Sequence, residues 1–156
     1  MKKVLLLAAS HLAVLIVGFA AGIYFLPILT APEMPTATQV KTAAGAADYT
    51  AQFRRDLKGS DPLHWGEGTV SVGRNAIALN GRIAPGPDYK LYLAPQFVET
   101  KEEFLRVKDR ALRIGDVNTF ENFIVEVPAT ADITRYDTVV VWCEAFSQFI
   151  TAAKYR

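Results

Sequence analysis

Between Val4 and Leu29 the sequence runs for 26 residues without a charged side chain. As an α-helix that run is about 39 Å long, against about 30 Å of bilayer hydrocarbon. It can span with tilt, and Pro27 is expected to mark its far end. A cleavable signal peptide has a shorter apolar region, about 7–15 residues, and a small-residue cleavage site. Leu26-Pro27-Ile28-Leu29 offers no such site. Residues 1–29 therefore read as an uncleaved transmembrane signal anchor, and no cysteine follows the run to accept a lipid. Lys2 and Lys3 precede it, so the positive-inside rule holds the N-terminus in the cytoplasm. The expected product is a single-pass cell-membrane protein with residues 31–156 outside the cytoplasm, in the periplasm of a Gram-negative cell. Gly18 and Gly22 form a G-x-x-x-G pair, a spacing that also arises simply because small residues are common in spanning helices. His11, beside Ser10, lies near enough to the cytoplasmic end to snorkel.

The chain beyond the anchor is nearly neutral. All 16 acidic groups lie there, while Lys2 and Lys3 take two of the 17 basic ones. Without a charge excess to neutralise phosphates, nucleic acid is excluded as a partner. Cys143 is the only cysteine, which excludes a disulfide scaffold and every multi-cysteine metal motif. Two histidines, His11 and His64, argue against a metal site built from imidazoles, so no metal ligand set is assigned.

Residues 30–47 are rich in Pro, Thr and Ala and carry no apolar period, which predicts an extended linker. Tyr49, Phe53 and Leu57 recur at four-residue spacing before Gly59. That pattern predicts a short amphipathic helix and connection over 48–65. From Gly66 the period becomes two. Strands are expected at 69–72, 76–79, 89–93, 111–117, 123–127 and 138–143, with a last apolar stretch over 146–155. Thr100 and Glu103 have the spacing of a capping box, opening a helix to about Val107. The fold class is all-β: an antiparallel sandwich of about seven strands over 66–156, with short helical insertions, behind one transmembrane helix. Apolar residues occupy both parities of 138–143, so this strand should lie centrally, buried on both faces. Val139, Val141 and Cys143 share one face, and Val140 and Trp142 the other.

Three segments carry a family resemblance. They are Gly68-Thr69-Val70, the run Gly86-Pro87-Asp88-Tyr89-Lys90-Leu91-Tyr92-Leu93, and the close Tyr136-Asp137-Thr138-Val139-Val140-Val141-Trp142-Cys143-Glu144-Ala145-Phe146. Over roughly residues 65–155 the chain resembles the DM13 domain family (electron-transfer DM13), as a membrane-anchored bacterial-type member. The resemblance implies an extracytoplasmic β-sandwich related in architecture to DOMON domains. It also implies a redox or electron-transfer role for the family's cysteine, which falls here on Cys143. The helical character of residues 100–109 departs from a simple strand connection.

Cys143 has no partner thiol in its own chain. A buried inert thiol, an intermolecular disulfide and a reactive redox group all remain open. Reactivity requires access and a lowered thiol pKa. Trp142 and Glu144 supply no positive charge, so an activating cation would come from elsewhere, such as Arg135 or Lys154. No cofactor motif is present, and a haem with Cys143 as axial ligand would have no further motif behind it. Trp142, Asp88 and Phe146 are candidate binding residues; their structural alternatives are core packing for the aromatics and turn closure for Asp88. Glu102, Glu103, Lys101, Lys108 and Arg110 read as a solvated face. No nucleophile–base pair and no phosphate loop is found, which leaves enzymatic activity unassigned. Two functions follow: a membrane-tethered domain exchanging electrons through Cys143 with a redox or protein partner, or a non-catalytic ligand- or protein-binding module with a structural buried cysteine.

Overall fold

The computed structural model describes residues 1–156. A single helix, α1 (Lys2–Thr30), is followed by α2 (Ala37–Gly45) and eight strands. The strands are β1 (Tyr49–Phe53), β2 (Gly66–Val72), β3 (Ala76–Ile83), β4 (Tyr89–Ala94), β5 (Leu112–Val117), β6 (Phe123–Glu126), β7 (Thr138–Cys143) and β8 (Gln148–Lys154). A short helix, α3 (Lys101–Leu105), interrupts the β4–β5 connection. The strands form two antiparallel four-stranded sheets, ordered β1-β2-β3-β6 and β5-β4-β7-β8. The sandwich is thus all-β as expected, with seven strands over 66–156 and an eighth, β1, added from the segment before it.

Three expectations before Gly66 are corrected. Residues 48–65 hold no helix: Tyr49–Phe53 is β1, paired from Tyr49↔Val72 to Phe53↔Gly68. A spacing of four fits a strand as well as a helix, because four is a whole number of two-residue repeats. The pairing with β2 decides between them. The linker is also not wholly extended, since α2 fills 37–45. Thr36 Oγ1 accepts from the Gln39 N–H at 3.3 Å, and Gln39 Oε1 accepts from the Thr36 N–H at 2.7 Å. This reciprocal cap starts the helix, and buried Val40 docks it on the first sheet. Pro27 does not end α1; the helix continues to Thr30.

Every residue of β7 is buried. Val139, Val141 and Cys143 face the core between the sheets, with Val70, Ile77, Leu79, Leu91 and Ile150. Val140 and Trp142 face outward, yet they too are covered. Leu57, Val98, Phe104 and Val107 close over them and join Tyr92 and Phe149 in a second apolar cluster. The connection carrying α3 therefore acts as a lid on the outer face of the second sheet. Thr100 Oγ1 caps α3 through the Glu103 N–H, while the Glu103 carboxylate takes the Glu99 N–H.

The sandwich has two poles. One gathers the β1–β2, β3–β4, β5–β6 and β7–β8 loops. The other gathers the β2–β3 hairpin and the connections after β4 and β6. The last turns of α1 meet the first pole, where Ala20, Ile23 and Tyr24 lie opposite Pro85, Gly86 and Phe146.

Candidate functional site

Cys143 is the last residue of β7, opposite Tyr89 on β4 and Gln148 on β8. Its side chain points into the inter-sheet core and is 2% exposed. It also forms part of the floor of a groove of about 330 Å³ at the first pole. Leu63, His64, Pro85, Pro87 and Phe146 line this groove, and α1 closes one side of it. Cys143 is therefore a core residue that also borders the groove.

The β7–β8 turn shapes the sulfur's surroundings. Ser147 takes a left-handed backbone (φ 47°), and its N–H donates to the Glu144 carbonyl at 3.2 Å. The Glu144 N–H donates to the Asp88 carbonyl at 3.0 Å, tying the turn to the start of β4. Burial pushes the Cys143 thiol up from its ordinary pKa. The backbone N–H groups of Phe146, Asp88 and Ala145 draw it down, without overcoming burial. Backbone amides thus hold the place expected for a cation. Lys154 instead faces Asp137, 3.7 Å away, and Arg135 sits in a turn at the opposite pole.

The other candidates separate. Phe146 is 54% exposed at the groove rim. Asp88 ion-pairs with Lys90 at 2.7 Å and touches the site through its backbone. Trp142 is fully buried in the outer cluster, away from the groove. His64 is a groove residue that composition could not place: Nδ1 donates to Asp61 Oδ2 at 2.7 Å, and Asp61 also accepts the Leu63 and His64 N–H groups. No three His, Cys, Asp or Glu side chains gather into a metal-ligating group.

A second polar feature lies behind the site. Lys108 Nζ is 2.6 Å from Glu144 Oε2, and the Tyr92 hydroxyl donates to Glu144 Oε1. Lys108 stands 5.3 Å from the Trp142 ring centroid and 5.8 Å from that of Tyr92. Lys108 is thus not part of a solvated face but the polar edge of the outer cluster.

Gly86 is buried against the Tyr89 ring, and a Cβ there would collide with its hydroxyl and Cζ. Gly86→Ala is expected to push the ring out of its seat at about 1–2 kcal/mol. Denaturant unfolding of the variant reads the cost. The same shift should open the groove floor and speed thiol labelling of Cys143.

A model of the family described as "Electron transfer DM13" matches residues 36–155, taking in α2 and all eight strands. No curated protein and no solved structure matches the chain.

Proposed function

The chain belongs to the electron transfer DM13 family, and on that premise we propose that it is a membrane-tethered domain that exchanges electrons through Cys143. The tether is α1, a helix long and apolar enough to cross a membrane. Lys2 and Lys3, at its start, favour an orientation with the domain outside the cytoplasm. The observation that carries the reading is the position of Cys143 at the end of β7, bordering the groove at the first pole. Burial costs a thiolate there more than the nearby backbone N–H groups of Phe146, Asp88 and Ala145 return, so the thiol stays above its ordinary pKa. With one cysteine in the chain, the second thiol of a two-electron cycle belongs to a partner. Cys143 thiolate attacks a partner disulfide, one partner sulfur joins Sγ, and the other leaves as thiolate and takes a proton. A thiol of a second, dithiol partner then attacks Sγ and releases the first partner as a dithiol. Its other thiol displaces Cys143 and closes as a disulfide, so two electrons pass from the second partner to the first.

One observation favours the non-catalytic binding module: only 2% of Cys143 is exposed. Thiol labelling of the folded full chain in detergent decides between the two. The raised pKa predicts labelling slower than that of a free thiol at neutral pH, with a rate that climbs as the pH rises above the ordinary thiol value. Labelling should nonetheless finish without denaturant, and Cys143→Ser should abolish exchange with an added disulfide. A thiol silent until the protein unfolds leaves Cys143 as structure.

A further inference from the structure

We infer that the groove pole of the sandwich rests on the bilayer itself, with Leu63 and Phe146 seated at the boundary between headgroups and acyl chains. The inference rests on the membrane tether of the proposed function, not on the chemistry of Cys143.

The depth follows from α1. Counting from Val4, about 20 helical residues fill about 30 Å of hydrocarbon in an upright span, which puts the far boundary near Ile23, and tilt only carries these residues deeper. Ala20, Ile23 and Tyr24 therefore straddle that boundary, and these are the α1 residues that wall the groove. Ala20 lies about 5 Å inside it at 1.5 Å per residue. Any loop that reaches Ala20 enters the same layer. Two of the domain's most exposed large apolar side chains lie in such loops: Leu63 (59% exposed) and Phe146 (54%). Side chains buried about 5–10 Å into the headgroup–acyl boundary are how peripheral surfaces hold to membranes. Tyr24 sits where amphipathic aromatic rings anchor spans. The partner of this surface is lipid, continuous with the lipid around α1. A partner that reaches Cys143 is then one held at the same membrane surface.

Nitroxide accessibility in phosphatidylcholine vesicles tests the placement. Single labels are put on the full chain, in a Cys143→Ser background, at Val17→Cys, Phe146→Cys and Arg74→Cys. Arg74 lies in the β2–β3 hairpin of the far pole. Oxygen partitions into lipid and a nickel chelate stays in water. The expected oxygen-to-nickel accessibility ratio is several-fold higher at 146 than at 74 and approaches that at 17. Leu63→Cys provides a second reporter should Phe146→Cys fail to fold. A lipid-like ratio at 17 with water-like ratios at 63 and 146 overturns the inference and leaves the tether intact. A water-like ratio at 17 overturns both.

Discussion

Trp142→Ala should destabilise the protein by about 3–5 kcal/mol, the loss seen when a fully buried large aromatic is truncated and its site cannot collapse. The indole has no exposed surface and holds together segments distant in sequence. The Phe104 ring lies 5.0 Å from it at 51°, and Phe149, Val98 and Leu57 complete the cluster. Collapse is limited because β7 is hydrogen-bonded on both sides, to β4 and β8. Phe104 and Val107 would lose their seat, and the connection between β4 and β5 would loosen from the sheet. Trp142→Phe should cost only about 1 kcal/mol. The indole Nε1–H makes no hydrogen bond of acceptable geometry, so the phenyl ring forfeits only its weak pull on the Glu144 carboxylate. Denaturant unfolding of the three proteins reads both numbers. A loss below about 1 kcal/mol for the alanine variant would show that the outer cluster adds little beyond the inter-sheet core.

What could be read from the sequence follows from how local each signal is. β7 was fully legible: apolar residues at both parities require two buried faces, and Val139, Val141 and Cys143 do face one core while Val140 and Trp142 face the other. β1 is ambiguous in sequence because Tyr49, Phe53 and Leu57 satisfy both periods, and the choice lies in Val72 and Gly68 of a distant strand. α2 has a local signature in Thr36 and Gln39, but it follows Pro32 and Pro35 and buries a single residue, Val40, so no apolar period marks it. The candidate site was legible only in part. Cys143 and Phe146 could be named, but their groove is assembled from 20–24, 63–64, 85–89 and 143–150. No periodicity links those segments. Lys108 and Glu144 lie 36 residues apart, so their pairing is a product of the fold alone.

That pairing leads to the second large effect. Glu144→Ala should cost about 2–3 kcal/mol at neutral pH, because it strips both Lys108 and Tyr92 of their charged partner. Glu144 is 27% exposed, which keeps the loss at the low end for a buried pair. Partial burial pushes the Glu144 carboxyl up, but Lys108 and the Tyr92 hydroxyl outweigh it and hold its pKa below the ordinary value. Burial, and then Glu144 itself, push the Tyr92 hydroxyl up, so it remains a neutral donor. A carboxyl whose pKa falls on folding binds its proton more readily in the unfolded chain. Its contribution is therefore complete above the unfolded carboxylate value and is lost as the pH falls through the lower folded one. The native protein should lose stability across that acidic window, and Glu144→Gln should flatten this part of the curve. The amide oxygen introduced by that substitution can still accept from Tyr92, so the glutamine variant should lie between the native and alanine proteins at neutral pH. A cycle with Lys108→Met isolates the pair, with an expected coupling of about 1–2 kcal/mol. Glu144 points outward while Cys143 points inward, so these substitutions should leave thiol labelling at its native rate. If labelling changes along with stability, the two faces of β7 are coupled, and the outer cluster becomes part of the site it backs.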